Sequence, residues 1–168
     1  MPNKSLLIRA DASSIIGMGH RVRCQILADI LSSESWTVTF VCHSSCHAFS
    51  QDNDILIDSE DEFLALAKNT DMVVLDHYGY TSQMIEKLYR VQPNLFLLDD
   101  MNDRGALYCR YLLNPVALDY SANLENQKRR YNEIPTLLTG ISYALLRPQF
   151  FRKSRSTKAN KLLITMGG

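Results

Sequence analysis

Short apolar runs alternate with amphipathic stretches along this chain. Leu6-Leu7-Ile8 reads as a first buried strand, followed by a loop from Ala10 to Gly19. Val22, Ile26, Leu27, Ile30 and Leu31 then recur at helical spacing, which predicts an amphipathic helix over 20–33. Trp36 to Val41, rich in β-branched and aromatic residues, is a second strand, and Ile55-Leu56-Ile57 a short third. Ser59 with Glu62 three residues on is a capping box that opens a helix through Phe63, Leu64, Leu66 and Ala67. Met72 to Leu75 is a fourth strand. Thr81 or Ser82 caps a helix carrying Met84, Ile85, Leu88 and Tyr89, and Leu95 to Leu98 and Tyr111 to Leu113 are a fifth and a sixth strand. Strands this short, apolar on both faces and alternating with helices, predict a parallel sheet covered on both sides. The expected class is α/β, a Rossmann-like parallel sheet.

The composition narrows this picture. At 168 residues and 46% hydrophobic content, one domain of ordinary size is expected and wholesale disorder is excluded. No apolar run approaches the roughly 18 to 20 residues of a membrane span, and the run after Lys4 is too short for a signal-peptide core. A cytoplasmic location is expected, with no membrane partner. Four cysteines in a chain this long suit a reducing compartment. Zero net charge argues against nucleic-acid binding. That zero conceals a basic stretch: Arg147 to Lys161 holds six basic residues and no acid, leaving the rest near −6. A solvated linker is the plain reading of this stretch, and a surface that meets phosphate is the sharper one.

Ligands of parallel sheets bind outside the carboxyl ends of the strands. The residues there are Asp11 to His20, Cys42-His43, Asp76-His77-Tyr78-Gly79, Asp99-Asp100 and Asn114-Pro115. Strand alternation suggests that at most some of Asp76, His77 and Tyr78 face one cleft. A dinucleotide fingerprint fails in the first loop, because Val22 stands at its third glycine position and the second strand ends without an acid. No P-loop is present either. What remains is a turn, Gly17-Met18-Gly19, that delivers His20 to a helix N-terminus. The helix dipole disfavours the imidazolium there, and a neutral ring facing a cleft suits a general base. The same terminus can hold phosphate. Cys42-His43-Ser44-Ser45-Cys46-His47 lacks the second ligand pair of a zinc site and reads as a strand-end loop, so no metal is expected.

Asp11-Ala12-Ser13-Ser14-Ile15-Ile16-Gly17-Met18-Gly19-His20-Arg21-Val22-Arg23-Cys24 resembles the D-A-S-x-x-I-G-x-G-H-x-x-R-C signature of the PseG family, UDP-sugar hydrolases of pseudaminic acid biosynthesis; the spore-coat protein SpsG is similar. The likeness continues through Asp76-His77-Tyr78-Gly79, Asp99-Asp100, Leu112-Leu113-Asn114, the segment Gly140 to Phe150, and Met166-Gly167-Gly168. The resemblance implies the N-terminal half of a GT-B-like, MurG-like two-domain fold. Its parts would be a Rossmann-like domain over 1–150, a basic linker over 151–161, and the first strand of a second, nucleotide-binding domain over 162–168. It implies hydrolysis of UDP-2,4-diacetamido-2,4,6-trideoxy-β-L-altropyranose with inversion, without metal or cofactor. His20 would activate water, with Tyr78 a second active-site residue. Asp11, Gly17, Gly19, Asp76, Asn114 and Arg147 are the expected substrate contacts. Asp11 is also expected to orient the His20 ring, since the two share a loop. The expected partners are the UDP-sugar and the missing nucleotide-binding domain, without which the chain alone is expected to turn over little. The competing readings are a GT-B glycosyltransferase acceptor domain, a carbohydrate-binding module and, disfavoured by Val22, a nicotinamide oxidoreductase.

Overall fold

Strand β1 (Lys4–Arg9) is flanked on one side by β2 (Trp36–His43) and on the other by β4 (Met72–Leu75), with Leu6 beside Val38 and Ile8 beside Val74. The computed structural model describes residues 4–151. The other strands are β3 (Ile55–Ile57), β5 (Leu95–Leu98), β6 (Tyr111–Asn114) and β7 (Thr136–Thr139). All pairings are parallel, in the order β3-β2-β1-β4-β5-β6-β7. This is a Rossmann-like α/β sheet, as the alternating pattern predicts. Its strand order reverses between β1 and β4, which opens a crevice at their carboxyl ends.

Helices α1 (Gly19–Ser33), α2 (Glu60–Ala67), α3 (Ser82–Val91) and α4 (Ser121–Tyr131) provide the crossovers. Phe63 and Ala67 of α2 and Ile85 and Leu88 of α3 pack with Leu7, Val73, Leu75 and Leu97 on one face of the sheet. On the other face Cys24 and Ala28 of α1 meet Leu6, Ile8, Phe40 and Val74. Truncating one such fully buried leucine costs about 2–5 kcal/mol. The buried side of α1 departs from the expected stripe: it runs through His20, Arg21, Cys24 and Ala28, while Ile30 is exposed. Two polar contacts turn it. Arg21 pairs with Asp54 at 2.6 and 2.9 Å and lies over the Phe40 ring, and His20 faces the crevice.

The expected caps are present. Ser59 Oγ accepts from Glu62 N at 3.4 Å, and Thr81 Oγ1 from Met84 N at 3.3 Å, each contributing about 1 kcal/mol. Of the expected linker only Phe151 is described, and the strand expected over 162–168 lies outside the described residues, as does the basic run beyond Arg147. No helix among the described residues is long and apolar enough to cross a membrane.

Candidate active site

The loop after β1 folds back on itself before α1 begins. Ser13 Oγ accepts from Ile15 N and Ile16 N, and Gly17 N donates to Ser13 O at 2.7 Å. Gly17 takes φ +81°, a conformation costly for any residue with a Cβ. The turn leaves Ile15 and Ile16 exposed at its tip and brings His20 into the first turn of α1. Met18, the N-cap, makes no side-chain capping bond, and no acid stands in the first turn.

His20 is buried, and its Nδ1 lies 2.6 Å from Asp76 Oδ1. Burial alone would raise the Asp76 carboxyl, but hydrogen bonds from Arg23 and His20 hold it below the usual range. An ionised carboxylate only accepts, so Nδ1 carries the proton and donates. This fixes the tautomer that leaves Nε2 with a lone pair. Asp76, not Asp11, therefore orients the ring, which corrects the expectation drawn from shared loop membership. The Asp76 carboxylate is 1% exposed, and both its oxygens are engaged by His20 and the Arg23 fork.

Asp11 serves a second histidine. It accepts from Arg9, from His43 N at 2.9 Å and from His77 Nε2 at 2.9 Å. Burial opposes ionisation, yet His77 and Arg9 keep this carboxyl well below its ordinary value. Nδ1 of His77 accepts from Gly79 N at 2.9 Å. Both nitrogens of His77 are thus occupied, whereas His20 Nε2 has no hydrogen-bond partner among the described residues.

A cavity of about 440 Å³ joins these groups, lined by Asp11, Ile15, Ile16, His20, His77, Tyr78 and Gly79. His77 and Tyr78 line this cavity and the buried Asp76 does not, in line with the expectation that at most some of the three face one cleft. Tyr78 is 57% exposed, and its ring meets His20 edge-on at 4.4 Å. Its hydroxyl donates to Asp100 Oδ2 at 2.7 Å, and that carboxylate is the first cause of the raised phenol pKa.

The remaining expected contacts are dispersed. Gly19 and Arg147 line a second cavity of about 450 Å³ with Met18, Arg23 and Phe150. Gly17 shapes its turn and lines neither cavity. Asn114 is fully buried, donating to Asp99 O and accepting from Val116 N, and so braces the end of β6. Of Asp99-Asp100, the first turns inward to Arg104 and Tyr120. From the sequence, Arg23 gains no role although it falls within the first quoted motif, and Asp100 stands only as a strand-end residue. Among the described residues no three His, Cys, Asp or Glu side chains are grouped to hold a metal ion.

No family model matches the chain. It is 27% identical over 172 residues to the UDP-2,4-diacetamido-2,4,6-trideoxy-β-L-altropyranose hydrolase of Campylobacter jejuni, an alignment covering 97% of this chain. The chain spans about 60% of that relative's length. The family resemblance carried by the sequence motifs thus extends along nearly the whole chain, which is similar to part of a UDP-sugar hydrolase.

Proposed function

We propose that the protein containing this chain hydrolyses a UDP-linked diacetamido-trideoxy sugar at its anomeric carbon, without a metal, and that His20 is the base. One observation carries this reading: of the two histidines lining the cavity, His77 has both ring nitrogens engaged, and His20 alone has a free one. Water held at His20 Nε2 gives up a proton to that nitrogen as its oxygen bonds to the anomeric carbon. The bond from that carbon to the phosphate oxygen breaks, and its electron pair leaves with UDP. The imidazolium so formed is compensated by Asp76, 2.6 Å from Nδ1. UDP is a good leaving group, so no strong general acid is required. Tyr78, half exposed on the cavity wall, offers its ring to the sugar. Arg147 carries no ion pair among the described residues and lines the cavity that shares Gly19, a position suited to the diphosphate. The similarity to a longer relative supports a second, nucleotide-binding domain that completes the site.

The test is UDP release by the complete encoded protein from the diacetamido-trideoxy-altropyranose substrate, with no acceptor sugar. Release from substrate and water alone is expected. Release only on adding an acceptor would replace this reading with a glycosyltransferase.

A further inference from the structure

Arg23 is not part of the histidine cavity's lining and has no contact with His20 Nε2, but its Nη2 lies 3.4 Å from His20 Nδ1 and its other bonds connect the groups around that ring. Its Nε and Nη2 donate to the two oxygens of Asp76, and its Nη1 lies 2.6 Å from Asp100 Oδ2. Asp76 follows β4 and Asp100 follows β5, so one side chain of α1 ties two strand ends together. Asp76 holds His20, Asp100 holds the Tyr78 hydroxyl, and the His20 and Tyr78 rings meet at 4.4 Å. The five residues form a closed circuit of contacts. Arg23 is three residues beyond His20, on the same face of the same helix.

We propose that Arg23 is a positioning residue, which sets the His20 ring and the Tyr78 ring relative to each other by holding both of their carboxylate partners. This rests on the hydrolase reading above for its kinetic consequence. The guanidinium geometry is what the role demands. A planar fork can bind one carboxylate through two donors while a third donor reaches another carboxylate, and an ammonium cannot do so in fixed directions. The alternative is that Arg23 merely neutralises the buried Asp76, a task that lysine would also perform.

Arg23→Lys separates the two, because it keeps the charge and removes the fork. In the complete encoded protein we expect kcat to fall about 10- to 100-fold, with KM changed by less than about 3-fold. With the ring neutral, ¹⁵N spectra of wild-type His20 should show Nδ1 protonated and Nε2 bare, and Arg23→Lys should average the two tautomers. Asp100→Asn should lower kcat while leaving the His20 ring signals unchanged, since it loosens the Tyr78 arm and the Arg23 Nη1 contact but leaves Arg23 Nε and Nη2 on Asp76. Wild-type kcat in Arg23→Lys, or a lowered kcat with wild-type ring signals, would overturn the proposal. If the wild-type protein releases no UDP from the substrate, the hydrolase reading fails instead, and the ring spectrum of Arg23→Lys still decides whether the fork sets the base.

Discussion

Gly79 is the point at which a single methyl group should disturb the site. A Cβ built there would lie 2.8 Å from His77 Cε1 and 3.1 Å from its Nδ1, and nothing else comes within 4 Å. The Gly79 N–H must approach the ring this closely to donate to Nδ1 at 2.9 Å, so Gly79→Ala has to push the imidazole away. The ring then loses that bond and its own donation to Asp11. A neutral hydrogen bond contributes about 1 kcal/mol and one to a carboxylate about 1.5–3 kcal/mol. The His77 side chain is 20% exposed, so water recovers part of this. A net loss of about 2 kcal/mol follows, or about 1 M in urea midpoint at a typical slope of about 2 kcal/mol/M. Equilibrium urea unfolding measures it, with the same substitution repeated in His77→Ala. In that background the new methyl meets open space, and the penalty should vanish. A loss below about 0.5 kcal/mol in the wild-type background, or an equal loss in both, would refute the reasoning.

Three further predictions follow from the same contacts. Asp76→Asn should cut UDP release about 100-fold or more, because His20, the proposed base, loses the carboxylate that fixes its tautomer; retention within about 3-fold would contradict the tautomer assignment. Asp11 and Asp76 are both held below the usual carboxylate range, so the unfolded chain binds more protons than the folded one as pH falls through that range. Stability should therefore be fully present above about pH 4 and decline below it, seen as a falling urea midpoint; a flat midpoint down to pH 3 would count against these pairings. Burial raises the Cys24 and Cys109 thiols, and burial with Asp54 and Asp11 pushes Cys42 up to about 11. Iodoacetamide at pH 8 should thus label these three about 100-fold more slowly in the native than in the unfolded protein, read by mass spectrometry, and comparable rates would show the thiols to be accessible.

How much of this was legible in the sequence differs between elements. The first six strands and three helices announce themselves by apolar periodicity and caps. Helix α4 does not, because Leu124 is the one aliphatic residue larger than alanine in Ser121–Tyr131. Two buried amides anchor it instead. Asn123 Oδ1 accepts from Leu107 N, and Gln127 both accepts from Cys109 N and donates to Cys109 O. They satisfy a backbone segment that precedes β6, as a neighbouring strand would. An i, i+4 pair of amides within a polar run is the signal that hydrophobic periodicity overlooks. Strand β7 follows α4 and was missed with it.

At the site, the turn and the position of His20 could be read from Gly17-Met18-Gly19-His20, because backbone conformation and helix starts are local. The partner of His20 could not. Asp76 is 56 residues away and arrives through the pairing of β1 with β4, so chain proximity pointed wrongly to Asp11. The same holds for Asn114 and Asp99: a polar residue at a strand end turns inward or outward according to which buried backbone groups need it, and that is a tertiary property.

The most direct test of the account is the turnover of His20→Gln in the complete encoded protein, measured as UDP release at saturating substrate. Glutamine can still donate to Asp76 but has no basic lone pair to offer water. The account predicts that kcat falls at least about 100-fold while substrate still binds. A kcat within a few-fold of wild type would show that His20 is not the base and that the free ring nitrogen serves another purpose.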